Sequence, residues 1–284
     1  MLEASRPAAA ALLPQMNRQQ LGSLVAQRLR TDVQALARSW NESGAIRHVA
    51  IDSVLPDATA RAIHDAFPPF ERMVRNVSLR ECKSIAVQMD RYDRLTEEAL
   101  FAFQQPEVVE LVGRITGMPG LEPDPNLYVG GLSAMRKDDF LNLHIDNSHG
   151  RNRERWRVLN LLYYVTPDWS ADDGGSLELW PQGRSGAPVV IPSLFNRLVI
   201  METHQGSWHS VNPIRRDGKR TCVSNYYFSD TPARDTDRFH VTFFRGRPEQ
   251  PLRDVALLAD GLARMAIRKV FRQGIRENPH VYKR

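Results

Sequence analysis

Between Leu127 and Phe244 the chain alternates between short apolar segments and clusters of turn-forming residues. The apolar segments are rich in Val, Leu, Tyr and Phe, and they include Val158–Val165, Ser176–Trp180, Asn196–Glu202 and Thr221–Phe228. The clusters that separate such segments include Asp172–Gly175, Gln182–Gly186 and Arg216–Gly218. Many short strands with regular turns are typical of an antiparallel sandwich or jelly roll. We therefore predict a jelly-roll core over residues 127–246.

The segments before and after this core show the spacing of amphipathic helices. The first helix has apolar residues at Leu21, Leu24, Val25, Leu29, Val33, Leu36 and Trp40, and Gly44 is predicted to end it. A strand is predicted over Ile46–Leu55, and Asp57 and Thr96 are predicted to cap two further helices. Pro106 suits the first turn of a helix that ends at Gly117.

These patterns predict an α+β chain with a single catalytic domain over residues 1–284. Residues 1–126 are predicted to form a mainly helical scaffold with a leading strand, and residues 247–284 a C-terminal helical segment. An amphipathic helix is expected over Arg253–Ile275, with arginines mostly outside an apolar stripe of Val255, Leu258, Leu262, Met265 and Phe271. We expect this stripe to pack on the chain's own core, with a homodimer interface or an anionic membrane surface as alternatives.

Composition excludes several classes of protein. The chain has 284 residues, of which 42% are hydrophobic and 25% charged, so it is not mainly disordered, collagen-like or a coiled coil. Its two cysteines cannot form a disulfide framework, and a reducing cytoplasm is the expected location. The apolar stretch Ala8–Leu13 is too short to span a bilayer and lacks the layout of a signal peptide.

The net charge of +5 arises from an excess of Lys and Arg after Pro251. We interpret this excess as the solvated face of a basic helix, since the sequence has no zinc-finger spacing and no aromatic RNA-binding signature. A nucleic acid or a membrane is therefore not expected as a partner. Binding of either through the basic C-terminus remains the alternative outside the enzyme classes.

The most informative candidate metal-binding motif is His144-Ile145-Asp146, at the end of a predicted strand. Alternate residues of a strand point to the same face, so His144 and Asp146 would project together. We expect His209 to complete a group of two histidines and one carboxylate. That group leaves coordination positions open and is typical of non-haem Fe(II) oxygenases.

Six other histidines are less suited to bind a metal. His48, His64, His240 and His280 lack any ligand context. His149 and His204 lie close to the proposed ligands, but each is in a polar segment that is typical of a loop. We interpret both as solvated or hydrogen-bonding side chains.

A candidate carboxylate-binding site follows the second histidine. Arg220 opens the strand Thr221–Phe228, and strand alternation places Arg220 and Ser224 on one face. A buried guanidinium can hold a carboxylate through two parallel hydrogen bonds. The phenol of Tyr164 could donate to the same carboxylate.

The region from Ser133 to Asp230 resembles the Fe(II)- and 2-oxoglutarate-dependent dioxygenases of the prolyl-4-hydroxylase-like group. The resemblance rests on His144-Ile-Asp146, Leu162–Trp169, Asp173–Trp180, Phe195–Ile200, and Trp208-His209 followed by Arg220. It implies a double-stranded β-helix (jelly-roll, cupin-like) core with N-terminal and C-terminal flanking helices. Two features depart from the family pattern: the strand before His144 has no tyrosine, and the spacing from His209 to Arg220 is slightly long.

The resemblance also implies the cofactors and the reaction. His144, Asp146 and His209 would bind Fe(II), while Arg220, Tyr164 and Ser224 would bind the far carboxylate of 2-oxoglutarate. With O2 as second cosubstrate, the reaction would release succinate and CO2 and hydroxylate an unactivated C–H bond. A carboxylate at position 146 argues against a halogenase, which needs that coordination position for halide.

The substrate is expected to be a small molecule, because no peptide-recognition module is evident. Substrate contacts are expected from Asn142, Asn147, Trp180 and Trp208, which are polar or aromatic and are expected next to the proposed site. The arginine-rich insert of residues 147–157 could line the mouth of the site and attract an anionic substrate. A protein or peptide residue as substrate, and a cupin-like metal protein that is not an oxygenase, remain the alternatives.

Overall fold

A computed structural model describes residues 16–271 and 281–283. The segment Ala8–Leu13, the end of the predicted helix at Ile275, and His280 lie outside these residues. Six helices are present in the described ranges: α1 Arg18–Thr31, α2 Val33–Glu42, α3 Asp57–Asp65, α4 Arg94–Ala102, α5 Pro106–Thr116 and α6 Pro251–Val270. In the part of the chain that the structure describes, no helix is both long and apolar enough to cross a bilayer.

Thirteen strands form one antiparallel sheet in the described residues. They are β1 His48–Ile51, β2 Val74–Val77, β3 Glu81–Ala86, β4 Glu122–Pro123, β5 Gly131–Met135, β6 Phe140–Ile145, β7 Trp156–Tyr164, β8 Leu177–Leu179, β9 Val189–Ile191, β10 Arg197–Glu202, β11 His209–Val211, β12 Arg220–Ser229 and β13 Phe243–Phe244. Their order is β1-β10-β7-β12-β5-β3-β6-β11-β8-β9, with β2 paired to β3, β4 to β12 and β13 to β6.

The sheet curls so that its two halves face each other across a cavity. Alternate residues of β7 and β12, including Tyr164 and Arg220, line this cavity together with His144 and His209 from β6 and β11. The structure confirms the predicted α+β jelly roll, with helices before and after it in the sequence.

The opposite face of β7 and β12 packs against the N-terminal helices. Tyr163 of β7 lies 5.2 Å from Phe103, measured between ring centroids, and its hydroxyl donates to Asn196 Oδ1 at 2.8 Å. The same buried cluster contains Trp40 of α2 and Val223 of β12. Burying an apolar side chain of this size contributes roughly 1.5–3 kcal/mol, so the helices hold β7 and β12 in place behind the cavity.

Several helix boundaries differ from prediction. The first helix is divided into α1 and α2 at Asp32. The α4 helix is capped by Asp93, whose side chain accepts from the Leu95 amide, rather than by Thr96. The N-cap of α3 is Pro56, not Asp57. The helix predicted from Pro106 is confirmed, and Gly117 ends it with a φ of 70°.

The hairpin of β2 and β3 was not predicted, although β3 closes the sheet between β5 and β6. The region before residue 127 is thus less helical than expected. Glu81 and Lys83 of β3 point into the cavity, so the strand lacks the apolar alternation that identifies strands in sequence. The predicted strand Ile46–Leu55 is also shorter, since only His48–Ile51 pairs with β10.

Helix α6 is rotated relative to the prediction. Val255 is 66% exposed, Leu262 58% and Phe271 54%, so the expectation that this stripe packs on the core is wrong for these three residues, while Leu258 and Met265 are half-buried. Leu257 and Asp254 face inward instead. Asp254 accepts two hydrogen bonds from Arg245, at 2.7 and 2.8 Å, and this charged pair fixes the side of α6 that faces the sheet.

Candidate metal centre

His144, Asp146 and His209 come together because β6 and β11 are antiparallel neighbours. His209 lies opposite His144 in the register, and their ring centroids are 4.0 Å apart. His144 Nε2 is 3.8 Å from Asp146 Oδ1, and His209 Nε2 is 3.9 Å from Asp146 Oδ2. One ligand atom from each residue lies within 4.8 Å of the others, and all three side chains are buried. These distances suit three ligands of one ion.

Both imidazole rings are oriented by backbone hydrogen bonds. His144 Nδ1 lies 2.8 Å from the Asn142 carbonyl oxygen, and His209 Nδ1 lies 2.8 Å from that of Ser207. A neutral ring that donates from Nδ1 presents an unprotonated Nε2. The second nitrogen of a metal-binding histidine is commonly held in this way.

The protonation states favour a cation at this place. Burial, with a smaller contribution from the neighbouring His209, lowers the pKa of His144 to about 3, so the ring is neutral near pH 7. Burial acts to raise the pKa of Asp146, but His209, Arg157 and His144 together lower it below its ordinary value. The site therefore offers the unprotonated Nε2 of His144 and the Asp146 carboxylate, with His209 Nε2 beside them.

Asp146 provides a direct test of whether a metal fits. Its Oδ2 atom is buried and has no hydrogen-bond partner among the described residues. A buried carboxylate oxygen without a hydrogen bond is unfavourable unless a cation binds it, and Arg157 Nη1 at 3.9 Å is too far away to donate. The donor set is the one that non-haem Fe(II) sites use, and the residues present fit that ion.

A bulge in β6 decides which of its side chains face the cavity. His209 pairs with His144, but Val211 pairs with Leu141, so β6 has one extra residue at this point. As a result both Leu141 and His144 line the cavity. Asn142 is turned away, and its Nδ2 donates to the Leu79 carbonyl at 2.9 Å.

The same cavity, of about 610 Å³, contains the three residues predicted to bind the cosubstrate. Arg220 Cζ lies 4.5 Å from the ring centroid of Tyr164, and Ser224 lies further along β12. Arg220 Nε and Tyr164 Oη are buried without hydrogen-bond partners in the described part of the chain. Burial raises the pKa of Tyr164, so its phenol keeps its proton and can donate.

Two glycines before β8 allow close approach to Arg220. A Cβ atom on Gly175 would lie 2.5 Å from Ile214 Cδ1 and 3.4 Å from Arg220 Cγ. A Cβ atom on Gly174 would lie 2.1 Å from the Pro213 carbonyl oxygen. Both glycines also have positive φ angles, so side chains larger than hydrogen would displace this wall of the cavity.

The four residues predicted to contact substrate do not line the cavity. Asn142 is turned away by the bulge, and the Asn147 side chain donates to the His149 carbonyl. Trp180 Nε1 donates to Ser210 Oγ at 2.8 Å, while the Trp208 ring packs edge-on against Phe243. Asn147 and Trp208 each directly adjoin a ligand, and adjacent residues of an extended chain point to opposite faces.

The arginine-rich insert also lies outside the cavity lining. Arg155 pairs with Glu122 and Asp230. Arg157 is buried in β7, with Nη1 3.9 Å from Asp146 Oδ2 and its guanidinium 3.8 Å above the Tyr226 ring. Its charge acts on the metal ligand from behind, and the insert does not form the mouth that the sequence suggested.

The two rival histidines have other partners. His149 Nδ1 lies 2.8 Å from Ser148 Oγ, and its ring packs against Trp156 at 4.1 Å. His204 accepts a hydrogen bond from the Gly206 amide and lies 3.8 Å from Glu202. Neither belongs to the group of potential metal ligands found in the described residues.

Several cavity residues were missed by the sequence analysis. Glu81 and Lys83 of β3 form a pair at 2.9 Å inside the cavity, and Phe244 of β13 stacks on His144 at 4.9 Å. Arg80 and Arg264 lie in the cavity wall. No local motif marks these positions, because the sheet and α6 bring them to the site from distant parts of the chain.

Comparison with known proteins gives two kinds of likeness. Residues 130–228 match the family model of the 2OG-Fe(II) oxygenase superfamily. The prolyl 3-hydroxylase OGFOD1 of Xenopus laevis is 35% identical over 94 residues, which are 31% of this chain and 17% of that protein. The chain thus matches less than a fifth of this relative's length.

A solved structure shares the fold over a larger part of the chain. It is a prolyl hydroxylase from Trichoplax adhaerens in complex with a peptide fragment of the hypoxia inducible factor oxygen degradation domain. The TM-score is 0.52 at 18% sequence identity, and the alignment covers 75% of this chain and 96% of that one. The likeness confirms the predicted double-stranded β-helix. The family match spans His144, Asp146, Tyr164, His209 and Arg220.

Proposed function

We infer that this chain, a 2OG-Fe(II) oxygenase superfamily member through residues 130–228, is an Fe(II)- and 2-oxoglutarate-dependent dioxygenase that hydroxylates a peptidyl residue. One observation carries the inference. A buried two-histidine, one-carboxylate group shares a cavity with a buried arginine whose Nε has no partner among the described residues. A metal and a carboxylate-bearing cosubstrate together account for both features.

His144, Asp146 and His209 are the proposed ligands of Fe(II). When bound, the iron supplies the site at which 2-oxoglutarate is chelated and O2 is used, with release of succinate and CO2. Asp146 leaves the Fe(II) group with a formal charge of +1, which suits a dianionic cosubstrate. The two backbone hydrogen bonds at Nδ1 keep both rings in one orientation as the other ligands change.

Arg220, Tyr164 and Ser224 are proposed to bind the far carboxylate of 2-oxoglutarate. Arg220 would supply the charge and two parallel donors, while Tyr164 would add a phenolic donor. Met135 lies on β5, in the strand that carries a tyrosine in the prolyl hydroxylases, and its sulfur is 3.8 Å from Arg220 Nη1. The thioether cannot replace a phenol as donor, so Tyr164 has a larger share in binding here.

Apolar side chains lie beside the metal group. Phe244 covers one face of His144, while Val211, Leu162 and Leu177 add apolar surface to the cavity. Apolar surface beside the metal group strengthens each charge-assisted contact there, because fewer water molecules compete for it.

A peptidyl substrate is proposed in place of the small molecule that the sequence suggested. The relative with matching sequence is named as a prolyl 3-hydroxylase, which supports proline as the first residue to test. The cavity also extends from the metal group to Val74 and Asn76 of β2 and to Val281 near the C-terminus. Such a length offers room for a chain segment on either side of the reacting residue.

The test is a substrate screen with the purified protein, Fe(II), 2-oxoglutarate and O2. Proline-containing peptides and a panel of small molecules are compared by succinate formation, and mass spectrometry detects the added oxygen atom. We expect peptide-dependent succinate formation with one oxygen added to a peptide residue. Oxygen added only to small molecules would contradict the peptidyl substrate, and the absence of succinate under every condition would favour the cupin-like non-oxygenase.

A further inference from the structure

Two arginines in the cavity wall share a single carboxylate. Arg80, in the turn between β2 and β3, places Nε 3.1 Å from Asp260 Oδ2 and donates from Nη2 to Oδ1. Arg264, on α6, donates from Nε to the same Oδ2 at 3.0 Å and from Nη1 to the Thr242 carbonyl at 2.7 Å. Its Nη2 is buried and has no hydrogen-bond partner among the described residues. The arginine pair, Arg80 and Arg264, therefore has more positive charge and more donors than Asp260 can satisfy.

This arginine pair is attached to the backbone around the metal group. The Arg80 carbonyl accepts from the Asn142 amide at 2.9 Å, and the Asn142 carbonyl is the partner of His144 Nδ1. Thr242, the partner of Arg264, directly precedes β13, in which Phe244 stacks on His144. Both arginines line the same cavity as His144.

The remaining charges in the cavity do not compensate the pair. Lys83 and Glu81 neutralise each other at 2.9 Å. Asp146 belongs to the metal group, and Arg91 adds a further exposed positive charge to the lining. Burial lowers the pKa of Arg264, and repulsion from Arg80 lowers it further, which is the effect expected where a second anion is lacking.

We propose that Arg80 and Arg264 bind an acidic side chain of the peptidyl substrate, close to the residue that is hydroxylated. A carboxylate from Asp or Glu would accept from the free Nη2 of Arg264 and approach Arg80, sharing the pair with Asp260. The inference rests on the proposed function for its peptide, but its evidence is the charge and hydrogen-bond imbalance at this wall.

The experiment measures binding of two matched peptides to the protein loaded with Fe(II) and 2-oxoglutarate under argon. The two fluorescein-labelled peptides are Gly-Gly-Ala-Asp-Pro-Ala-Gly-Gly and the same sequence with Asn in place of Asp. Their binding is measured by fluorescence anisotropy. We expect the Asp peptide to bind at least about tenfold more tightly, as a charge-assisted contact requires. Arg264→Gln should reduce that preference to about twofold or less, and Arg264→Lys should retain part of it.

Two further variants separate recognition from stability. Asp260→Asn removes the competing carboxylate, so it should increase the preference for the Asp peptide. If the cluster had only a structural role, this variant would lose thermal stability without any change in that preference. Arg253→Gln removes one charge from the same helix outside the cavity lining, where Arg253 stacks on Phe140 at 5.3 Å. That variant should leave the preference unchanged.

Equal affinity for the two wild-type peptides, or a preference that survives in Arg264→Gln, would overturn the proposal. A third arm measures directly how tightly benzoate and benzamide bind to the same loaded protein. Charge-dependent binding in this arm alone would overturn the peptide as source of the anion. Failure of the proposed function is recognised separately, since the wild-type protein would then form no succinate with any peptide.

Discussion

Three residues in this cavity have buried polar atoms that could bind a ligand. Asp146 Oδ2, Tyr164 Oη and Arg220 Nε are buried without hydrogen-bond partners in the described part of the chain. An unsatisfied buried polar atom costs about 1–3 kcal/mol, so a fold that keeps three of them in one cavity is stabilised by filling it. The sequence could identify these residues because each belongs to a short motif in or at the end of a predicted strand.

Arg220→Ala tests the cosubstrate site at this scale. Removing one partner of a buried charge pair costs about 2–5 kcal/mol, so the 2-oxoglutarate concentration at half-maximal succinate formation should rise well over tenfold. Lys219→Ala is the matched control, since Lys219 Nζ donates to the Phe67 carbonyl and does not line the cavity. If wild type and Arg220→Ala required similar 2-oxoglutarate concentrations, the assignment of Arg220 to the cosubstrate site would be refuted.

A second prediction at the residue scale concerns the two glycines beside Arg220. Gly174→Ala would place Cβ against the Pro213 carbonyl, whereas Gly183→Ala has a similar positive φ but open space around its Cβ. Both variants incur the strain of a positive φ, and Gly174→Ala adds the clash with Pro213 and a ψ of −165° that side chains rarely adopt at this φ. Urea unfolding should show Gly174→Ala less stable by about 1–3 kcal/mol than Gly183→Ala. Equal stabilities would mean that the wall can yield at Pro213.

Some strands and helices could be predicted from the sequence, and others could not. Strands β7, β10 and β12 contain short apolar runs between turn-forming residues and were predicted within a few residues. The β3 strand was missed because its inward residues Glu81 and Lys83 are polar, as the cavity requires. The bulge in β6 and the rotation of α6 depend on partners far away in sequence, namely β11 for the bulge and Arg245 for the helix.

The orientation of α6 gives a prediction for matched leucines. Leu257 is 2% exposed and Leu262 is 58% exposed, although they are close together on one helix. Leu257→Ala should lower the free energy of unfolding by about 2–5 kcal/mol, and Leu262→Ala by less than about 1 kcal/mol. Chemical denaturation measures both, and the reverse order would restore the orientation expected from the sequence.

At the scale of the whole molecule, buried histidines link stability to pH. Burial lowers the pKa of His64, His144, His149, His204 and His240 below 6.5, to about 3 for His144 and about 4 for His149. The unfolded chain therefore binds more protons than the folded one below about pH 6.5, so stability falls as the pH decreases. The loss continues until the pH reaches the folded pKa values.

Urea unfolding of the metal-free protein between pH 7.5 and pH 5 should show this loss directly. Carboxylates titrate mostly below this range, so the histidines dominate the slope. His149→Phe, which keeps an aromatic ring beside Trp156, should reduce the slope. A stability that is constant or increases towards pH 5 would contradict the account.

The tertiary structure of the whole molecule determines which site residues could be predicted from the sequence. The metal group and Arg220 lie on strands whose alternation is visible locally, so their meeting in one cavity could be anticipated. The arginine pair could not be, because Arg80 and Arg264 are separated by most of the chain and meet only when α6 packs beside the β2–β3 turn. Residues at a site's rim depend on tertiary packing more than residues at its centre.

The most direct test of the central claim is metal binding by two single-histidine variants. Mn(II), which can replace Fe(II) without redox chemistry, is titrated into the wild type, His209→Ala and His204→Ala and followed by electron paramagnetic resonance. We predict one tight site in wild type and in His204→Ala, and its loss in His209→Ala, with both variants folded by circular dichroism. Tight binding by His209→Ala together with its loss in His204→Ala would contradict the proposed metal centre.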